Sequence, residues 1–386
     1  MPKKIILLPI FIIIAFAAGF IFMLKGCLQK HNNYGVVGMP AASADGNFVV
    51  VVVAENEATT YSENPTYRKT TYSTSYWLKQ YETATGKLLK EKKLIGHAEL
   101  NNRAVASYGA AGNNIWLHID KLRAYDINTL EEATNEEKIA AANGMGKQVF
   151  PYEDRLMRPA VEKGYIDFTN DNGDEYRLLL DGLKIKGKAS LPNDESNEER
   201  NINRLLHNDD YGTRSDTLNN KMYILAKDSS LAANTSPNNY SLHETAYRMK
   251  LFAAGYTVKK FGPNNSYAYG NIYRVGDSTY LNPCFAKDMY HDAVIHLSSP
   301  DGFLLIHQDV LGEKSKAVIT RIDTNGKKVW ESAIGASTKI ENCILGGKYF
   351  IISTNKDYMF SPHAGKDALC IINIENGNTV KALLNE

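Results

Sequence analysis

The residues best equipped for chemistry lie between Asp288 and His307, in the stretch DMYHDAVIHLSSPDGFLLIH, where His291, Asp292, His296, Asp301 and His307 crowd together. Imidazole nitrogens and carboxylates are a donor set that holds zinc, and bound zinc can activate water for hydrolysis. Their spacing works against simple ligation. On a strand, side chains alternate between faces, so His291 and His296, an odd five residues apart, point to opposite sides. A helix does no better, because Ser298-Ser299-Pro300-Asp301-Gly302 would break it. His291, Asp292, His296 and His307 therefore form the one metal or enzyme candidate to test, beside the plainer reading of strand and turn histidines.

Other routes to catalysis find little footing. A nucleophile needs a base and a group to orient it, and the chain has no G-x-S-x-G motif. Gly144-Met145-Gly146 lacks the strand-to-helix setting that lets glycines cradle phosphate. Carboxylate pairs such as Asp209-Asp210 and Glu131-Glu132 sit in polar surroundings typical of a solvated surface. No catalytic or cofactor-binding residue is assigned.

The elements that must position these side chains read as strands. From Phe48 onward apolar residues come in short runs bounded by Gly, Asn and Asp, with little 3.6-residue periodicity. Phe48–Val53 is a buried strand introduced by the Asp45-Gly46 turn, and Tyr72–Thr83 is rich in Tyr, Thr and Trp, which suit a pleated surface. Tyr165–Leu180, with an Asn172-Gly173 turn, Met222–Ala226, Gly270–Leu281 and Phe303–His307 supply further strands. Four segments, 77–94, 116–133, 317–334 and 368–384, each read strand, turn, strand. An acidic residue closes the first strand or opens the turn in each: Glu82, Asp126, Asp323 and Glu375. Three bend at a glycine, Gly86, Gly326 and Gly377, where positive φ costs nothing. The other uses Asn128-Thr129-Leu130.

Glu82 and Asp126 are about 44 residues apart and Asp323 and Glu375 about 52, each close to the length of one four-stranded propeller blade. The fold expected is all-β: a β-propeller of about six to eight blades, seven by division of chain length, preceded by one transmembrane helix. Within it, Arg321 to Trp330, RIDTNGKKVW, is similar to the hairpin of pyrroloquinoline-quinone-like propeller repeats, where an Asp, a Gly-Lys turn and a Trp recur and the Trp docks between blades. Tyr81 to Lys90, YETATGKLLK, resembles the same element with Leu89 in the Trp place, and the other two hairpins keep only the outline. The resemblance covers four repeats and speaks to fold rather than activity. Quinone enzymes of this kind carry adjacent cysteines beside the cofactor. Here Cys284, Cys343 and Cys370 are tens of residues apart, so no cofactor is expected.

Ile5 to Leu24 is an uncharged run of about 20 residues, long enough as a helix to cross about 30 Å of hydrocarbon. Lys3 and Lys4 precede it, and Lys25 and Lys30 follow; the short leading tail favours a cytoplasmic N-terminus. The expected organisation is a tail at 1–4, an anchor at 5–24, a linker at 25–34 and an extracytoplasmic domain at 35–386. A lipoprotein signal, with Leu24-Lys25-Gly26-Cys27 as a lipobox and Cys27 acylated, and a cleaved leader are the alternatives, and all three export the domain. The expected setting is a bacterial cytoplasmic membrane.

The net charge of +1 conceals an asymmetry: residues 1–34 hold four lysines and no acid, which leaves the rest near −3. No basic stripe suited to a phosphate backbone remains, so nucleic acid is not an expected partner. Residues 192–216, PNDESNEERNINRLLHNDDYGTRSD, read as a long polar surface loop, 56–71 as another, and 244–254 as a helical insert. Cys343 and Cys370 form a disulfide if their strands are neighbours, or else stay as buried thiols alongside Cys284. The 23 tyrosines include Tyr61, Tyr67, Tyr72 and Tyr76, and Tyr267, Tyr269 and Tyr273, residues at home both in strands and at interfaces with protein, peptide or carbohydrate. The function expected is a membrane-anchored binding or scaffolding module for another envelope protein or peptide. The alternative is an exported hydrolase or metal-dependent enzyme built on the histidine region.

Overall fold

The computed structural model describes residues 28–64, 67–96, 105–152, 154–187, 214–218, 221–226, 248–261, 264–269, 273–288, 293–298, 301–310, 316–336, 339–355 and 368–385. The apolar run at 5–24, Cys27, His291, Asp292 and residues 192–213 lie outside these. Among the described residues no helix is long and apolar enough to cross a membrane.

The described chain is nearly all antiparallel β. A first sheet holds β1 (Leu28–Ala42), β2 (Phe48–Asn64), β3 (Tyr67–Glu82) and β4 (Leu88–Ile95) in sequence order. A second holds β5 (Val105–Ala111), β6 (Asn114–Ile119), β7 (Lys121–Asp126) and β8 (Glu132–Asn135), followed by helix α1 (Glu136–Ala142). A third holds β9 (Met157–Ala160), β10 (Tyr165–Thr169), β11 (Glu175–Leu179) and β12 (Lys184–Gly187). The next strands are β13 (Arg214–Leu218), β14 (Lys221–Ala226), β15 (Arg248–Phe261), β16 (Asn264–Tyr269) and β17 (Tyr273–Phe285). They are followed by β18 (Lys287–Asp288), β19 (Ala293–Val294), β20 (His296–Ser298), β21 (Asp301–Gln308), β22 (Lys316–Asp323) and β23 (Lys328–Ala336). All of these but the small β18–β19 pair join one nine-stranded sheet. The last sheet holds β24 (Lys339–Gly346), β25 (Tyr349–Asn355), β26 (Ala368–Asn373) and β27 (Thr379–Leu383).

The sheets stack face to face, and the first part of β2, Phe48–Val53, shows why it is an unbroken apolar run. Val50 and Val52 enter a core shared with Ile115, Leu117 and Tyr125 of the second sheet. Val49, Val51 and Val53 enter another, shared with Ile344, Ile351 and Leu369 of the last sheet. Period-two alternation therefore buries both faces, and no polar position is left over. The second and third sheets share Trp116, Leu122, Ile166 and Phe168. The last sheet packs Phe350 and Ile372 against Leu304 and Ile319 of β21 and β22. The nine-stranded sheet folds over on itself at β17, whose first part pairs with β15 and whose end pairs with β21. The fold-over brings Tyr223, Leu225 and Leu251 against Phe303, Leu305 and Ile322.

One contact recurs between neighbouring sheets: something at or after the end of one sheet meets the tight turn before the fourth strand of the next. The Trp330 indole on β23 donates to Ile374 O at 3.0 Å and covers Gly377, where an added Cβ would strike the ring at 2.7 Å. Gly86 lies equally close to Val380 and Lys381 of β27. Lys90 Nζ reaches Asn128 O at 2.7 Å, and Asn143, just after α1, donates to Leu183 O at 2.8 Å. Across the fold-over of the nine-stranded sheet an inner strand makes the same kind of contact: Gly326 lies against Val275 of β17, and Tyr223 Oη of β14 donates to Thr324 O at 3.1 Å. Among the described residues no such contact or shared core joins the third sheet to β13–β17, and no ladder closes into a barrel.

Several expectations change. Residues 28–34, expected within a linker, pair with β2 as part of β1. Residues 56–64 and 67–71 belong to a long hairpin rather than a loop, its Thr and Tyr content favouring extended backbone. Arg248–Ala254, expected within a helix, begins β15, where Leu251 and Ala253 enter the core with period two. Arg214–Asp216, the end of the expected polar loop, lies in β13. In the last hairpin the turn is closed by Asn373, whose carbonyl accepts from Gly377 as that of Glu82 accepts from Gly86; Glu375 lies inside the turn.

Cys343 and Cys370 are buried and form no disulfide. Both stand opposite Ile352, one on each side of β25, so their Cα atoms are about 9.6 Å apart, beyond the reach of a disulfide. Burial pushes the Cys370 thiol up to about 11. The expected result is that neither thiol reacts with an alkylating reagent at neutral pH in the folded protein, while both react in denaturant without reductant. Thiols that appear only after reduction would contradict this.

Candidate functional site

Of the histidine candidates, the structure describes the side chain of His307 alone. Its ring lies edge-on to Tyr280, with centroids 5.2 Å apart, and leans toward β22, where Nε2 is 2.8 Å from Thr320 Oγ1. Nδ1 is 3.1 Å from Gln308 O, which can only accept, so Nδ1 carries the hydrogen. Thr320, completely buried, lies 3.2 Å from Glu331 Oε2, and Lys328 Nζ reaches the same oxygen at 3.2 Å. The result is a chain of imidazole, hydroxyl, carboxylate and ammonium running across β21, β22 and β23. Burial pushes the Tyr280 phenol above its ordinary range at one end of it.

This order resembles a nucleophile relay, but its hydroxyl has no solvent access, and both imidazole nitrogens are turned to protein groups. His296 stands opposite Phe303, on the other flank of β21 from Thr320, and about 13 Å along the strand from His307. The two are not brought together. Among the described residues no cluster of His, Cys, Asp and Glu suited to a metal is found.

A second feature, with no counterpart among the motifs, lies in the ladders of three first strands. They slip at Val37/Ala41 in β1, Ser107/Gly109 in β5 and Ile340/Asn342 in β24, and a fourth slip, Leu281/Cys284, lies where β17 passes from β15 to β21. Bulges re-aim side chains and free backbone groups, and they gather at barrel rims and binding sites. Three of these strands touch around Gly38. Asn342 Nδ2 donates to Gly38 O at 2.9 Å, and Ser107 Oγ donates to Met39 O at 2.9 Å. The signal was present in the sequence as Gly38, Pro40, Gly109 and Pro283, breakers set inside apolar runs.

The third sheet adds a buried ion pair. Arg177 donates to both oxygens of Asp167, at 2.6 and 2.8 Å, from the residue directly opposite it on β11, and its guanidinium lies 3.6 Å from the centre of the Tyr165 ring. Neighbouring Ile166 and Phe168 point to the core shared with the second sheet, so the pair occupies the other face.

The chain matches no protein family and no curated protein. Among solved structures it is similar, over 92% of its length and 91% of the other chain, to a chain in an S. cerevisiae complex of Dbp5 with Nup159 and Gle1, at 9% identity and a TM-score of 0.23. A structure titled as the eukaryotic initiation factor is similar over 90% of this chain and 88% of its own, at 10% identity and a TM-score of 0.23. Likeness at that level bears on neither fold nor activity.

Proposed function

We propose that the chain is a membrane-tethered, extracytoplasmic β-propeller that works as a binding or scaffolding module for another envelope protein or peptide. The observation that carries this reading is the repeated contact between sheet ends and turns. It links β13–β17 to β20–β23, then to the last sheet, on to the first, the second and the third, always in the same direction. Units related head to tail by one repeated contact build a ring when the rotation closes. The propeller would have six blades, fewer than chain length suggested, because β15 and the β2–β3 hairpin absorb more residues than an average blade. Trp330 docked on Gly377 supports the resemblance to quinoprotein-type repeats.

In such a ring the first strands line the axis, and their bulges would present the ligand-facing groups. The engaged nitrogens of His307 favour binding over metal-dependent hydrolysis. The reading places the apolar run at 5–24 in a bacterial cytoplasmic membrane with the sheets outside. Protease added to spheroplasts is expected to digest the domain only after denaturation but to cut an engineered site inserted between Asn172 and Gly173, an exposed turn with open space around it, in the intact fold. A photo-reactive residue at Met39 is expected to yield a cross-link to an envelope protein or peptide. Full protection of the engineered site, or no Met39 adduct in intact membranes, would count against the proposal.

A further inference from the structure

Four asparagines precede a glycine: Asn143, Asn172, Asn325 and Asn376. In such a pair the glycine nitrogen can attack the carbonyl carbon of the Asn side chain, because glycine has no side chain to block the approach. The new C–N bond closes a succinimide ring, the side-chain nitrogen leaves as ammonia, and water then opens the ring to aspartate or isoaspartate. The net change is water for ammonia, with no other reactant. In a folded chain the Asn amide must be free to turn onto the backbone, and the glycine must be free to swing toward it.

The four turns present these two conditions in every combination. The Asn143 amide is fixed, donating to Ile139 O and Leu183 O, each at 2.8 Å, and accepting from the Ile185 N–H at 3.0 Å, while Gly144 stands open. Asn376 Oδ1 accepts from the Asn378 N–H at 2.9 Å, and Gly377 is wedged beneath the Trp330 ring. Among the described residues the side chains of Asn172 and Asn325 make no hydrogen bond, and both are exposed. Gly326 is nevertheless buried, with an added Cβ 2.7 Å from the Val275 backbone, so it has no room to swing. Gly173 is exposed and has nothing within 4 Å of an added Cβ. The glycine N–H groups do not distinguish the sites, since each donates to a turn carbonyl at 2.8 to 3.1 Å. Of the four, the Asn172-Gly173 turn alone meets both conditions.

We infer that Asn172 is a self-modification site, at which the β10–β11 turn deamidates while the fold preserves the other three pairs. The isoaspartate product routes the main chain through the former side chain and lengthens it by one carbon before Gly173. That displaces the Gly173 N–H from Asn170 O, which it meets at 3.0 Å. Asn170 also organises the turn, its Oδ1 accepting from the N–H groups of Asn172 and Asp174 at 3.0 and 2.8 Å. Either product adds a carboxylate between Asp171 and Asp174. The hairpin that carries the Asp167–Arg177 pair is thereby weakened with age.

The test follows the purified full chain at mildly alkaline pH by peptide mapping, with fragmentation that separates aspartate from isoaspartate. In the folded protein, conversion at Asn172 is expected to run at least about tenfold faster than at Asn143, Asn325 or Asn376. In urea all four are expected to fall within about threefold of one another, because each is then an Asn-Gly pair in an unfolded chain. The isoaspartate form is expected to unfold at least about 2 °C below an Asn172→Asp variant, which carries the charge without the added carbon. Another pair converting as fast as Asn172 in the folded chain overturns the assignment, as does a folded rate at Asn172 more than about tenfold below its rate in urea. An isoaspartate form as stable as Asn172→Asp overturns the weakening of the hairpin.

Discussion

Gly38→Val is expected to destabilise the protein by about 3 to 5 kcal/mol, a large part of the about 5 to 15 kcal/mol that holds a domain together. Two costs combine. Gly38 has φ +64, a conformation in which a β-branched residue is a steric outlier worth about 1 to 2 kcal/mol. A Cβ there would also land on the carbonyl oxygen of Ser107 and come within 2.9 Å of the Ser107 side chain, at a place where three first strands already touch. Neither neighbour can retreat, since Ser107 and Asn342 are both tied to the same bulge. Gly112→Val separates the costs, because Gly112 shares the positive φ, at +57, but has nothing within 4 Å of an added Cβ. Urea unfolding should show the Gly38 variant losing at least about 2 kcal/mol more than the Gly112 variant. Equal losses would mean that the close approach of β1 and β5 does not exist.

Asp167→Ala is expected to cost about 3 to 5 kcal/mol, since it strands the guanidinium of Arg177 in a buried site. The pair is bidentate, with both partners below 15% side-chain exposure, at 13% for Asp167 and 8% for Arg177. Removing the carboxylate leaves the guanidinium with its desolvation cost and without the two charged hydrogen bonds that offset it. Replacing both, as Asp167→Leu with Arg177→Met, is expected to recover most of the loss, because an apolar pair of similar volume is often as stable as a buried salt bridge. Thermal unfolding of the two single variants and the double variant gives the comparison. A double variant no more stable than Asp167→Ala would show that the site needs the ion pair itself, and the third sheet would then have a polar neighbour on that face.

Both predictions concern features that reading along the chain did not expose, while other features were plain. The hairpins at Gly86, Gly326 and Gly377 were visible because a turn with positive φ leaves few choices of residue. Leu130 takes the same place with φ 62, and Asp126 was recognisable as its partner because its carboxylate collects the backbone N–H groups of Asn128 and Thr129. In the last hairpin Asn373, two residues before Glu375, holds the place that Glu82, Asp126 and Asp323 hold in the others, because asparagine closes such a turn as aspartate does.

The sequence by itself determined the class of structure. Short apolar runs between turn residues can satisfy their backbone hydrogen bonds only by pairing with one another, and a run such as Val49–Val53 must be covered on both faces. It also held, in Gly38, Pro40 and Gly109, the places where strands could not continue regularly. Only the tertiary structure decided which sheet lies against which, that β2 and β3 outgrow their neighbours, that His307 belongs to Thr320 rather than to His296, and that Cys343 and Cys370 are kept apart by β25. These are matters of register and of contact between residues far apart along the chain. Local preference fixes how a segment is shaped, but a shift of two residues preserves that preference while changing every partner across the ladder.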